Sequence, residues 1–104
     1  MLFRSLACAA WKDRVNIEDT LFAGAVITKI KHHFSINCDA SQIALGMYDE
    51  AKSDLYEYMK AKEASHYKRL TSFGLEKDIR HCLTSNTANV LPFYMDGKLI
   101  KRDL

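Results

Sequence analysis

The stretch of sequence that decides the fold is LACAAWKDRVNIED, residues 6–19. Its first five residues, Leu6 to Ala10, form a short apolar run that is typical of a buried central strand. A polar loop follows, and Asn16 then offers a side-chain cap for a helix with Glu18 and Asp19 in its first turn. The pattern therefore predicts a strand that leads through a loop into a helix.

Two longer helices are predicted next. Apolar residues near helical spacing extend the first helix to about Phe34. Asp39 and Gln42 have the spacing of a capping box, which predicts the start of a second helix. Apolar residues one turn apart then continue through Leu55, so we expect this second helix to reach that residue.

Shorter helices are predicted after these. Ser65 can cap a short helix, and Gly74 can end it by taking a left-handed conformation. Residues 76–83 then predict one or two further helical turns.

The chain closes with a predicted hairpin. Val90 to Tyr94 and Leu99-Ile100 are short apolar runs joined by a turn at Asp96-Gly97, and Pro92 indicates an edge or a strand end. A strand, helices and a late hairpin favour an α/β or α+β fold whose sheet is incomplete. We expect the missing strands to come from the rest of a longer chain or from a partner subunit.

Composition limits the class of protein. The chain has 104 residues, is 48% hydrophobic, and carries 15 basic and 13 acidic residues for a net charge of +2. The charges are interspersed, so we expect no nucleic acid partner, and the lack of a long apolar run predicts no membrane association. Three widely spaced cysteines fit no disulfide framework, which favours a reducing cytoplasm. Proline and glycine are scarce, so residues 1–104 are interpreted as a single unit; Met1 to Ser5 are hypothesised to be a non-native leader.

Residues 7–14 and 16–25 resemble the Cys-Ala-Gly…Glu-Asp-x-Leu-x-Ala-Gly-Ala signature of the 2-phosphosulfolactate phosphatase (ComB) family. Further matches to the family follow in the same order: Ala44-Leu45, Tyr48-Asp49, Ser65-His66, Arg69-Leu70, residues 74–79, Cys82, Val90-Leu91-Pro92 and Gly97. Two positions depart from the family pattern, because Ala10 and Tyr67 replace glycines. The alanine puts a close backbone approach to a ligand at that point in doubt.

The resemblance implies that the chain is the C-terminal portion of a longer Mg²⁺-dependent phosphatase domain. The family's N-terminal half, with its Ile-Asp-Val-Leu-Arg-Ala-Thr-like motif, is absent from residues 1–104. A family member is expected to be a cytoplasmic α/β enzyme that hydrolyses 2-phosphosulfolactate to sulfolactate, a step in coenzyme M biosynthesis. The substrate class is a small anionic phosphoester, and this fragment is expected to be inactive alone.

Candidate site residues lie in the loop and the helix start. Adjacent carboxylates suit Mg²⁺, so Glu18 and Asp19 are candidate metal ligands, although acidic residues in a first helical turn also complement the helix dipole. Lys12 and Arg14 can neutralise the anionic substrate, and Arg14 can grip two oxygens at once. For Lys12, a solvated loop position is the simpler interpretation.

Three further residues are possible neighbours of an active site: Cys8, His66 and Asp78. Cys8 and Arg14 have the spacing of cysteine phosphatases, but the intervening residues lack the glycines such a loop normally needs. A small buried cysteine at a strand end is the alternative. A different class of function also stays open, namely a non-enzymatic interaction module that folds as a stable monomer or homo-oligomer.

Overall fold

The computed structural model describes residues 4–103. Met1 to Phe3, the first part of the hypothesised leader, lie outside the described residues. Helices precede a terminal hairpin, as predicted, and the fold is a mixed helix and strand arrangement. Its elements are α1 (Ile17–Ile30), α2 (Asp39–Ala51), α3 (Leu55–Ala61), α4 (Ser65–Thr71), α5 (Glu76–Cys82), β1 (Val90–Met95) and β2 (Lys98–Asp103). Within residues 4–103, no helix has both the length and the apolar character needed to cross a membrane.

Helix α1 begins as predicted, because the side chain of Asn16 accepts a hydrogen bond of 2.8 Å from the backbone N–H of Asp19. It packs along α2 at very short range. A Cβ atom added at Gly24 would lie 2.2 Å from the carbonyl oxygen of Ala44, so the contact depends on a glycine. The helix ends at Ile30, earlier than the predicted Phe34, because His33 donates to the Ile30 carbonyl in a tighter turn.

The core that these helices share is small. Its buried apolar residues are Leu21, Ala23, Ile27, Ala44, Ala51, Met59, Ala64 and Ile79. Half of them are alanines, so each contact buries little apolar area. The close approach of α1 and α2 compensates in part, since small side chains allow the two backbones to come near each other.

The prediction of a strand at Leu6 to Ala10 is wrong for this chain. Residues 6–9 have no regular secondary structure, are exposed, and belong to no sheet. The sheet formed by residues 4–103 has two strands, β1 and β2. An apolar segment becomes a strand only beside a neighbour that pairs with its backbone, and no such neighbour lies within the described residues.

Two predicted helix starts are also wrong. Cys38 occupies the N-cap of α2, so Asp39 is the first helical residue and Gln42 donates instead to the carbonyl of Ile36 at 3.0 Å. Ala64 occupies the N-cap of α4, so Ser65 is the first residue of that helix and not its cap. In both cases the polar residue was predicted to be the N-cap and is instead the first helical residue. A spacing pattern alone cannot distinguish these two neighbouring positions.

The second predicted helix is split in the structure. It ends at Ala51, and Asp54 starts α3 by accepting the backbone N–H of Glu57 at 3.0 Å. Apolar periodicity continues across this break, which is why the sequence predicted one helix through Leu55. The side-chain cap at Asp54 starts a new helix despite that periodicity.

The remaining turns are confirmed. Gly74 ends the segment after α4 with φ +72°, while Leu75 donates back to the Leu70 carbonyl at 3.1 Å. Asp96 and Gly97 both have positive φ, as a two-residue hairpin turn requires, and Met95 pairs with Lys98.

Candidate functional site

A strained turn leads from residues 6–9 into α1. Trp11 and Arg14 exchange two backbone hydrogen bonds of 3.0 Å, which closes the turn on itself. Ala10, Lys12 and Asp13 have φ of +65°, +50° and +59°. Each non-glycine residue in this left-handed region costs on the order of 1–2 kcal/mol, so other contacts must hold the turn in place.

Asp19 supplies the first of these contacts. Its Oδ2 atom accepts a hydrogen bond of 3.0 Å from the backbone N–H of Ala10 and another of 3.0 Å from Nδ2 of Asn16. The carboxylate thereby ties the start of the turn to the cap of α1. Cys8 lies beside the same residue, with its Sγ 3.6 Å from the Asp19 carbonyl oxygen, and is exposed rather than buried.

The turn forms one wall of a cleft. The cleft has a volume of about 450 Å³, and its lining residues are Trp11, Lys12, Arg14, Val15, Asn16 and Ser65. The lining that residues 4–103 provide contains two cationic side chains and no carboxylate. The structure thus brings the two predicted substrate-binding residues, Lys12 and Arg14, to one concave surface where an anion would meet both.

A chain of side-chain contacts links α1 to α4 beside this cleft. The carboxylate of Glu18 accepts a hydrogen bond from Nδ1 of His66, and Nη2 of Arg69 lies 2.8 Å from Nε2 of the same ring. Because arginine only donates, Nε2 must be the acceptor, and the ring proton is therefore on Nδ1, facing Glu18. His66 is thus placed against one of the two candidate metal ligands.

Arg69 makes a second contact that connects this chain to the turn. Its guanidinium carbon lies 3.9 Å from the centre of the Trp11 ring, a stacked arrangement that is favourable between an arginine and an indole. The sequence assigned no role to either residue. The spacing of three between His66 and Arg69 on one helix could have indicated their contact, but nothing local points to Trp11.

Glu18 has the strongest signature of a metal ligand among the predicted residues. Its Oε2 atom is buried and has no hydrogen-bond partner among residues 4–103. A buried carboxylate oxygen without a partner is costly and fits a cation. Within the same residues, no three His, Cys, Asp or Glu side chains are grouped so as to hold a metal by themselves.

Asp78 lies elsewhere on the fold. It is exposed in the first turn of α5, where a carboxylate complements the helix dipole. Among the other predicted site residues, Lys12 and Arg14 share the cleft, and Glu18 contacts His66. Asp19 contacts Cys8 and holds the start of the turn, and neither carboxylate is part of the cleft lining.

The fold and this cleft define a protein with a candidate anion-binding site at a loop-to-helix junction. Residues 5–97 match the family of 2-phosphosulpholactate phosphatase. A probable 2-phosphosulfolactate phosphatase of Thermotoga petrophila is 34% identical over 98 residues, which cover 94% of this chain and 41% of the relative. One of Thermotoga maritima is 33% identical with the same coverage, and one of Synechocystis is 30% identical over 81% of this chain and 35% of the relative. No solved structure matches the chain.

The chain therefore belongs to the 2-phosphosulfolactate phosphatase family, and the resemblance stated from its motifs is confirmed. It spans about two fifths of the length of the curated relatives it matches. A two-stranded sheet agrees with this coverage, because a family-length polypeptide has further chain that can supply strands.

Proposed function

We propose that this chain is part of a cytoplasmic phosphatase that hydrolyses a small anionic phosphoester with the help of Mg²⁺. The observation that carries the proposal is the cleft in which Lys12 and Arg14 meet at the start of α1. By the name that its relatives carry, the substrate is 2-phosphosulfolactate and the product sulfolactate, which would serve coenzyme M biosynthesis.

The charge of such a substrate explains why the cleft is cationic. The molecule carries a phosphate, a sulfonate and a carboxylate, so its binding requires several positive groups within a small volume. Arg14 can present two parallel N–H donors to one anionic group, while Lys12 acts as a mobile point charge. No carboxylate of the lining competes with the substrate for these donors.

Mg²⁺ would be held through Glu18, whose buried Oε2 needs a partner, with Asp19 as a second carboxylate. Asp19 already uses Oδ2 to hold the turn, so we assign it a double role as clamp and ligand. Magnesium commonly takes one or two carboxylates and completes its shell with water and substrate oxygens. When bound, the ion supplies charge neutralisation for the phosphoryl group and activation of water.

We further propose that the chain alone does not turn over substrate, because three fifths of a family-length polypeptide lie outside the matched segment. This is tested by release of inorganic phosphate from 2-phosphosulfolactate in the presence of Mg²⁺. No release is expected from the purified chain. Release that stops on adding EDTA would contradict its inactivity.

The cleft itself is tested by titrating the ¹⁵N-labelled chain with inorganic phosphate and following its backbone amides. We expect shifts confined to the turn and the start of α1. The double variant Lys12→Ala, Arg14→Ala should raise the Kd for phosphate by roughly tenfold or more, since each charge-assisted hydrogen bond contributes appreciably.

A control matched for charge is the double variant Lys77→Ala, Lys98→Ala, because both lysines are exposed and outside the lining. It should leave the Kd unchanged. An equal effect of the control and the double variant, or phosphate shifts spread over the whole surface, would count against a built anion site.

A further inference from the structure

The turn that carries Lys12 and Arg14 is strained, although two backbone hydrogen bonds between Trp11 and Arg14 close it. Three of its residues have left-handed backbone angles without being glycine. Its start is held by Asp19 through the N–H of Ala10. This contact fixes the turn relative to α1 at one end, and a contact of the Trp11 side chain would fix it at a second point.

We propose that Arg69 is a positioning residue that holds this second point: oriented by His66, it clamps the Trp11 ring and thereby aims Lys12 and Arg14 into the cleft. The proposal rests on the proposed function for its ligand, a phosphate-bearing anion. It assigns Arg69 no contact with that anion.

The contacts of Arg69 agree with such a role. One face of the guanidinium lies on the indole at 3.9 Å, and one terminal nitrogen lies 2.8 Å from Nε2 of His66. His66 is in turn fixed by Glu18 on the opposite side of the ring. Arg69 is outside the cleft lining, while Trp11 is part of it. A guanidinium that stacks on a ring with one face and hydrogen-bonds through one edge is held in place, and it holds the ring on which it stacks.

Two properties of Arg69 can be separated by experiment, namely its charge and its planar shape. Arg69→Lys keeps the charge and loses the plane. Arg69→citrulline keeps the length, the plane, the Nε–H and one terminal NH₂ group, but it is neutral and has a carbonyl oxygen in place of the other NH₂. It can be introduced by joining three synthetic segments at Cys38 and Cys82. Arg80→Ala is the matched control, because Arg80 stacks on Tyr56 at 3.7 Å away from the cleft.

The first readout needs no ligand. Trp11 is the single tryptophan of the chain, so its fluorescence and the amide shifts of residues 10–14 report the turn directly. We expect Arg69→Ala and Arg69→Lys to change both signals, while Arg69→citrulline and Arg80→Ala leave them close to those of the unmodified chain.

The second readout is the Kd for inorganic phosphate. Loss of the stack in Arg69→Ala and Arg69→Lys should raise it roughly two- to fivefold, as expected for an interaction of this strength. Arg69→citrulline should bind phosphate more tightly than Arg69→Lys does. A residue that acts by its charge would give the opposite order of affinities, because lysine keeps the charge and citrulline does not.

The outcomes separate the two proposals. If Arg69→Lys behaves as the unmodified chain and the citrulline variant does not, Arg69 acts through charge and the positioning role is overturned. If none of the Arg69 variants changes the signals of the turn, the role is overturned as well. If the unmodified chain binds no phosphate, the anion site of the proposed function fails, and the fluorescence and amide shifts alone decide whether Arg69 holds the turn.

Discussion

Gly24 of α1 lies directly against Ala44 of α2, at a distance that leaves no room for a side chain. A Cβ atom at this position would come 2.2 Å from the Ala44 carbonyl oxygen and 2.6 Å from Cβ of Tyr48. Neither contact can be relieved by a change of rotamer, because one partner is backbone and the other is the root of a side chain. The packing of the two longest helices depends on this glycine.

We therefore expect Gly24→Ala to destabilise the chain by about 1–3 kcal/mol or more, the usual cost of overpacking. Urea unfolding followed by circular dichroism measures the change. The matched control is Gly46→Ala in α2, where an added Cβ meets nothing within 4 Å. That substitution should stabilise the helix by about 0.5–1 kcal/mol, because alanine is the better helix former. Equal effects of the two substitutions would refute the close contact.

Asp19 provides the second prediction. Asp19→Ala removes the acceptor for the Ala10 N–H and for the Asn16 side chain, which should cost about 1–3 kcal/mol of unfolding free energy. The amide of Ala10 should exchange its hydrogen faster than in the unmodified chain. Asp39→Ala is the control, since Asp39 is an exposed first-turn acid without a capping hydrogen bond, and it should change stability by less than about 0.5 kcal/mol. Unchanged exchange at Ala10 in Asp19→Ala would contradict the clamp.

The proposed metal site gives the third prediction. Titration of the labelled chain with MgCl₂ should shift the amides at the start of α1, and EDTA should reverse the change. Glu18→Gln removes the charge of the buried oxygen and should weaken Mg²⁺ binding by roughly tenfold or more. The control is Glu76→Gln, an exposed first-turn position on α5, which should have no effect. A response to Mg²⁺ that survives Glu18→Gln would exclude this carboxylate as the ligand.

The fourth prediction concerns Cys38 at the N-cap of α2. The hydroxyl and the backbone N–H of Ser41 lower the pKa of the Cys38 thiol, because both stabilise the thiolate. A lowered pKa means a larger thiolate fraction below the ordinary titration range, so iodoacetamide should modify Cys38 at a lower pH than in Ser41→Ala. Peptide mass mapping over a pH series distinguishes this thiol from the other two. Superimposable pH profiles for the two proteins would show that the Ser41 hydroxyl has no influence.

The sequence predicted those features that neighbouring residues determine. The cap at Asn16, the left-handed Gly74 and the turn at Asp96-Gly97 each follow from the chemistry of one or two residues. The segment at Leu6 to Ala10 was predicted wrongly because a strand is a property of two partners, and its apolar pattern says nothing about whether the partner is present. Caps and turns could thus be predicted from the sequence, whereas the pairing of strands could not.

The candidate site shows the same division. The signature around Glu18 and Asp19 led to the family and to the region of the cleft. The contact of Arg69 with Trp11 joins a helix to a turn far away along the chain, so no local sequence pattern predicts it. Asp19 was predicted as a metal ligand, and its hydrogen bonds to Ala10 and Asn16 became visible only in the structure.

The position of Pro92 determines on which side a further strand can pair with the terminal hairpin. Pro92 pairs with Lys101 and has no N–H, and the alternation that starts at the Asp96-Gly97 turn points its missing donor away from β2. The outer side of β1 is therefore interrupted in its middle, while the outer side of β2 has its full set of donors and acceptors. A strand from any other source would extend this sheet along β2 alone, so the hairpin can be the last member of a larger sheet but not its centre.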